Sequence, residues 1–432
     1  MKAIFSTLVF FMLLQALSAA EEDDSFDANE DGPSRILIEE EPQEAAAPSS
    51  PAAEEPPPSL TGEWGGVRTK MRDNGFEISS YLVMDDIWDL HGGESPGPSS
   101  GGFEYLFDLN LKVTSEPLFH YPGGTFLVDF ESHRGHNSSA ENVGSLIAVD
   151  AMEAPPYNAL FAFWYKQVFG EDRFWFLVGK SDAYDNFSSK THCAFFLNSG
   201  FTFLPTILFF PTSPEPAMSA IASLRFIKGI SATFGVFDGS LANGFRTGQA
   251  GIFGHFFNHL TSHAFLIGEA DFQWAWGNYV GRLGIGAWGN TANFKRFNGT
   301  TKSGTGGPYL TFDQIIYKPA DEGEEASVFF IYGSANPSLS LVHRYFGAGF
   351  VWQGIMGWRM DDLAGFAMGY SALTSDADVG FKQSHETVFE FLYQWHITPW
   401  VYFQPDFQYV VHPGGEDLPN ASVLLLRLFF KL

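Results

Sequence analysis

Between Phe103 and Val113 apolar side chains recur at every second position: Phe103, Tyr105, Phe107, Leu109, Leu111 and Val113. Glu104, Asp108, Asn110 and Lys112 occupy the places between, with Leu106 the one exception. A period of two is the signature of a strand. Such a strand has one apolar face and one face bearing charges of both signs. A soluble sandwich would bury the apolar face, whereas a barrel in lipid would turn it outward. At roughly 3.3 Å per residue the stretch is long enough to cross a bilayer at a tilt.

The pattern returns to the last residue. It predicts strands over 76–88, 103–113, 124–131, 157–168, 173–180, 218–227, 231–237, 263–275, 281–289, 308–318, 325–333, 344–353, 362–371, 386–397, 400–411 and 420–432. The count is about sixteen, and even. The connections are asymmetric. Gly170 to Asp172, Lys228 to Ile230, and Thr398 with Pro399 make tight turns, but about 14, 25, 37 and 25 residues follow strands 1, 3, 5 and 7. Tight turns at one end and long loops at the other predict an all-β, transmembrane antiparallel barrel with both termini on the periplasmic side.

The start of the chain reads differently. Residues 1–20 have Lys2, an apolar core from Ile4 to Leu14 and a small-residue end at Ala20, the pattern of a cleaved secretory signal. Residues 21–59 carry thirteen acids against Arg35 alone and finish in Ala/Pro runs, which predicts a disordered, acidic periplasmic tail. Residues 60–432 then form the barrel unit. A short helix is expected from about Glu63 to Asn74, capped by Thr61 and stopped at Gly75. No apolar run is long enough for a membrane-spanning helix.

Composition sharpens this picture. Charged residues are 17%, below the roughly 25% of average soluble proteins, while aromatics reach 17% with 46 Phe. Mean hydropathy is nevertheless −0.04, as alternation instead of apolar runs would give. The net charge of −26 argues against nucleic acid as a partner, and the single Cys193 excludes an intrachain disulfide and any multi-cysteine metal site.

With lipid outside, function belongs to the lumenal face. The candidates for the pore lining and its narrow zone are Asp108, Asp129, Glu131, Arg134, Trp175, Lys180, Asp182, Asp185, Arg225, Glu269 and Asp271. By parity Glu390, Gln394, Gln404, Asp406 and Gln408 join a polar wall for which the plain reading is generic wetting. The longest loop, Ser181 to Ala217, contains the apolar segment Ala194 to Phe210, which a solvated loop would not carry. Folding inward would cover it; lipid or a neighbouring subunit is the other cover. Asp129 and Glu131 face the same way at i and i+2, not across a bond as glycoside hydrolysis requires. His192, His255, His259 and His263 pair with no particular serine and form a weak metal pattern. Gly284, Gly286 and Gly289 satisfy G-x-G-x-x-G but lie within a strand, so the dinucleotide reading fails. No catalytic residue, metal or cofactor is expected.

Leu60-Thr61-Gly62-Glu63-Trp64-Gly65-Gly66-Val67-Arg68-Thr69-Lys70, with Asp73 and Gly75, resembles the opening signature of the carbohydrate-selective porins of the OprB family. The resemblance continues in Asn142 to Ser145, Val178 to Lys180 with Asp182, Phe196 to Ser199 and Gly235 to Gly239. It closes with Glu386-Thr387, Thr398 to Trp400, Gln404 to Val410 and Pro413 to Gly415. The likeness implies a sixteen-stranded outer-membrane barrel passing sugars by diffusion, narrowed by inward-folded loops. Small sugars, outer-membrane lipid and the barrel-assembly machinery are the implied partners, with self-association left open. The acidic tail and the terminal Leu432, in place of an aromatic, depart from the pattern. The acidity also keeps a general, weakly cation-preferring porin in play, and a plugged structural or adhesive barrel is the rival from another class.

Overall fold

The computed structural model describes residues 59–97, 101–135, 137–188, 191–249, 263–319 and 323–432. The signal and nearly all of the acidic tail lie outside them. The strands are β1 (Phe76–His91), β2 (Gly101–Thr114), β3 (Gly124–Arg134), β4 (Tyr157–Phe169), β5 (Phe174–Ser181), β6 (Ala217–Ile227), β7 (Ile230–Asp238) and β8 (Ala264–Trp276). They continue as β9 (Tyr279–Lys295), β10 (Thr301–Tyr317), β11 (Glu325–Ser334), β12 (Val342–Gln353), β13 (Leu363–Leu373), β14 (His385–Thr398), β15 (Val401–Val411) and β16 (Ala421–Lys431). Each strand pairs with its sequence neighbours, and β1 pairs antiparallel with β16. The barrel is closed, so no edge is left unpaired in the membrane.

The opening stretch shows which face meets lipid. In β2 Phe103 is 58% exposed while Glu104 beside it is 0% exposed. A soluble protein does the reverse. Val83, Asp85, Ile87 and Asp89 likewise point inward from β1, with exposed Trp88 between them. Exposed Trp276, Trp358, Phe119 and Phe226 cluster at the ends of the short turns, forming a belt at the level of lipid headgroups.

Two expectations need correcting. The β9–β10 hairpin runs past the expected ends at 289 and 308, because Ser303 pairs with Asn293 and Thr305 with Asn290. These polar pairs lie beyond the apolar alternation. A bulge containing Gly304, at φ +69°, also breaks the period there. At the other end, Thr61 does not cap the helix: a 3-10 turn at Trp64–Gly66 precedes α1 (Val67–Asp73), whose N-cap is Gly66. Arg68 of α1 lies 4.4 Å from the Trp64 ring centroid and donates to Leu432 O at 3.0 Å, and Leu60 N donates to Lys431 O at 2.8 Å. The segment before β1 therefore seals the β1–β16 seam.

Gly284, Gly286 and Gly289 sit within β9, and the first two make room for side chains of β10. A Cβ on Gly286 would come 2.1 Å from Cζ of buried Tyr309.

Candidate functional site

The β5–β6 loop (182–216) folds into the lumen, and the wall supplies polar partners that hold it there. Leaving β5, Asp182 accepts from Tyr184 N at 2.7 Å, Thr212 Oγ1 at 3.0 Å and Ser213 N at 3.1 Å, tying the loop's two ends together. The chain then crosses the lumen. Ser188 N donates to Glu269 Oε2 of β8 at 2.8 Å, and His192 N donates to Asp313 Oδ1 of β10 at 3.2 Å. The His192 ring spans Asp313 (Nδ1, 3.2 Å) and Glu325 of β11 (Nε2, 3.3 Å), and Lys318 pairs with Glu325 at 3.0 Å. Burial opposes the imidazolium, but its hydrogen bonds to Asp313 and Glu325 raise its pKa to about 9. On reaching β14, Leu197 N and Asn198 N donate to Glu390 at 2.5 and 3.1 Å.

The apolar half of the loop thereby finds its cover. Phe196, Leu197, Phe201 and Leu204 are buried against the inner wall, and Phe196 lies 5.4 Å from Phe329 of β11 between ring centroids. Each such side chain contributes about 1.5–3 kcal/mol relative to exposure. The loop runs so close to the wall that a Cβ on Gly333 would sit 2.1 Å from Thr206 Oγ1.

A second loop, β3–β4 (135–156), also turns inward and is held by the first. Ser199 N donates to Ala148 O and Ala151 N to Leu197 O, at 2.9 and 2.8 Å. From the wall, Glu386 of β14 accepts from Leu146 N (2.9 Å), Ile147 N (3.0 Å) and Gly414 N (2.7 Å), while Gln408 of β15 donates to Val149 O at 2.7 Å. Gln394 donates to Gln404, which donates to Phe195 O at 2.9 Å. The wall residues expected to be generically wet are loop anchors. Their parity was legible; which backbone groups they receive depends on loop paths that a strand period does not encode.

Two groups of three carboxylates lie on the inner wall, each with one oxygen per residue within 4.8 Å of the others. In the first, Asp85 of β1, Glu104 of β2 and Asp150 of the β3–β4 loop surround Arg427 of β16. The guanidinium reaches Asp85 Oδ2 at 2.7 Å and Asp150 Oδ1 at 3.1 Å, and His133 Nε2 lies 3.4 Å from Glu104 Oε2. Burial, and then the Asp85 charge, push the Asp150 carboxyl up, against the opposing pull of Arg427. Beside this group burial raises Glu153 to about 8, with Ser139 N donating to it. Arg427 escaped the sequence reading, although it is the lone charge between Ser422 and Phe430 of an otherwise apolar strand end.

In the second group Asp108 of β2 stands beside Glu131 of β3 in register, and Asp129 completes it. Tyr157 donates to Glu131 Oε2 at 2.6 Å, and Asn110 donates to Asp108. The loop brings two more acids toward this wall. Burial lifts Asp182 to about 6 against its three donors. Asp185 is exposed, yet the protein packed around it and the charges of Asp182 and Asp108 lift its carboxyl to about 8.

The structure thus gathers Asp108, Asp129, Glu131, Asp182 and Asp185 from the expected narrow zone. Glu269 and Asp271 stand elsewhere on the wall, both paired with Arg282, the former at 2.5 Å. Lys180 is placed differently from its expected role. Its ammonium donates to Leu160 O at 2.7 Å and Gly248 O at 2.8 Å, and the residue is 1% exposed. Arg134 is a correction: it alternates with inward His133, registers with lipid-facing Tyr105 and donates to Tyr157 O at 2.9 Å. Arg225 and Trp175 lie near the short-turn end, Arg225 donating to Glu171 O and Trp175 lying 4.3 Å beneath Lys166 Nζ. His255 and His259 fall outside the described residues.

Residues 103–432 match the carbohydrate-selective porin, OprB family. The chain belongs to this family. Among solved structures it is similar to the high-pH structure of Pseudomonas putida OprB, with a TM-score of 0.79 at 19% identity over 88% of this chain and 100% of that one. The low-pH structure of Pseudomonas putida OprB is similar at TM-score 0.58 and 15% identity, over 87% and 98% of the two chains. At these identities the likeness concerns the fold, which this OprB-family chain shares. No curated protein sequence matches it. Family membership makes the molecule a porin of the outer membrane, and the two inward loops are the parts of it held within the lumen.

Proposed function

We propose that this OprB-family barrel is a passive diffusion channel for mono- and small oligosaccharides across a bacterial outer membrane. The observation that carries the reading is the crossing of the lumen by the β5–β6 loop, tied to Glu269, Asp313, Glu325 and Glu390 on separate strands. A loop fixed at that many points narrows the lumen and holds its shape. It also sets the exposed Asp185 beside the route, where sugar hydroxyls exchange hydrogen bonds with its carboxylate, in front of the buried Asp108, Asp129 and Glu131. Farther toward the short turns, Trp175 offers an aromatic face of the kind sugar C–H groups slide over. Flux follows the gradient, and no bond is made or broken.

The acidic narrow zone favours a second reading, a general porin that prefers cations. Single-channel conductance of the refolded chain in a planar bilayer, with rising neutral sugar on one side, separates the two. Saturable block by one class of sugar supports the carbohydrate route. Current reduced only by viscosity leaves the general porin, and absence of conductance sinks both. We assign the acidic residues 21–59 to the periplasm. Lipid around the apolar belt and the assembly machinery complete the expected partners, and crosslinking in native membranes tests self-association.

A further inference from the structure

We infer that Asp108, Asp129 and Glu131 form a binding site for a hard divalent cation, calcium by size, on the lumenal wall beside the root of the β5–β6 loop. Their oxygens lie within 4.8 Å of one another. Calcium takes carboxylate oxygens at about 2.3–2.6 Å, so two ligands on opposite sides of it are about 4.6–5.2 Å apart. The three carboxylates therefore fit one shell without moving the strands. Magnesium would draw the oxygens about half an ångström closer and holds its waters more firmly.

A second observation points to a ligand. Asp129 is 7% exposed, and its Oδ1 is closed to solvent with no hydrogen-bond donor among the described residues. A buried carboxylate oxygen without a donor carries a large desolvation cost, which a cation removes. Among the described residues no arginine pairs with these three carboxylates. The largest charges acting on Asp129 are those of Asp108, Glu131 and Asp185, and on Glu131 those of Asp108, Asp182 and Asp185, all anionic. Lys180 feels Glu131 and Asp129, but its ammonium donates to the Leu160 and Gly248 carbonyls. The other triad of the same barrel answers the same charge problem with Arg427.

A cation here would tie β2 to β3 at the level where the inward loop leaves the wall, and Asp182 and Asp185 would add to its field. It would also discharge the most acidic part of the lumen, as a route for neutral sugars needs.

The test uses the full chain, refolded in detergent and stripped with a chelator. Terbium, a luminescent stand-in for calcium, is added with excitation of tyrosine, since Tyr157 bonds Glu131 directly. Sensitised emission that calcium displaces at one site per chain, and that weakens at least tenfold in Asp129→Asn and Glu131→Gln but not in Asp378→Asn, supports the site. Heat-modifiable gel mobility confirms that each variant is folded. No emission from the native chain, or equal emission from Asp129→Asn, overturns the site. So does a protonated-carboxyl infrared band at neutral pH that calcium leaves unchanged and Asp129→Asn removes. Sugar block of conductance is recorded on the same preparation in chelator, so that loss of the cation site and loss of the sugar route are told apart.

Discussion

The two carboxylate triads pose one electrostatic problem and solve it differently. Asp85 and Asp150 pair with the Arg427 guanidinium while Glu104 beside them faces His133, and the Arg427 pairs lock the β3–β4 loop to the β1–β16 seam where the barrel closes. Asp108, Asp129 and Glu131 have the same spacing and comparable burial, but their polar partners are Tyr157 and Asn110, which are neutral. Three buried carboxylates with a fixed internal cation make a structural joint. Three without one, facing a loop that brings two more acids, retain electrostatic free energy that a passing or bound cation can release.

The largest test of this contrast removes the fixed cation. Arg427→Met is expected to cost about 3–5 kcal/mol, the usual penalty of leaving one side of a buried ion pair alone. Urea titration of the folded barrel in lipid vesicles measures it, and adding Asp85→Asn is expected to restore a substantial part. An equal loss in single and double variants would show that Arg427 acts through packing instead. Asp129→Asn at the second triad has the opposite expected sign in chelator, because it removes a repelling charge. Two unit charges 4 Å apart at an effective dielectric of 20 set a ceiling of about 4 kcal/mol on the gain. If Asp129→Asn destabilises the chelated protein, the triad is already neutral and the contrast collapses. Between these in kind is Glu390→Ala, which leaves the buried Leu197 and Asn198 N–H groups unpaired at about 1–3 kcal/mol each. Its readout is noisier conductance from a loosened β5–β6 loop.

Sixteen strands, the parity of their faces and the inward course of the longest loop were legible in the chain, because alternation and an apolar segment within a loop are both local signals. Phe103 and Glu104 already carry the decision between lipid and lumen. The site was legible in half. Asp108, Asp129 and Glu131 follow from parity, but their difference from Asp85, Glu104 and Asp150 rests on Arg427, which is far away in sequence and joins them only when β16 closes on β1. The same holds for Glu386 and Glu390, whose partners are backbone groups of loops about 190–240 positions earlier in the chain. Arg134 lies beyond the strand end expected at 131, and β3 runs on to it and turns it away from the lumen.

The smallest expected effect concerns pH. Asp182 and Asp185 have carboxyls raised to about 6 and about 8, so both are protonated in acid and ionise as pH rises through those values. Raised acids bind protons more tightly in the folded than in the unfolded chain; their contribution favours the fold below about pH 4 and is lost as pH climbs toward 8. The raised His192 has its stabilising contribution complete below about 6.5 and loses it through about 9, so the loop's attachments weaken on the alkaline side from both causes. For permeation the sign is the reverse, since each new carboxylate attracts cations. Reversal potentials in a salt gradient are expected to shift toward cation preference between pH 5 and pH 9. The field of one carboxylate in water, about 1 kcal/mol at 4 Å, limits the gain to about fivefold for each group that ionises. Asp185→Asn is expected to flatten the upper half of that curve, while Asp150→Asn, beside Arg427, leaves it in place. If the two substitutions change the curve alike, the lumen does not distinguish the triads, and their difference matters only to the fold.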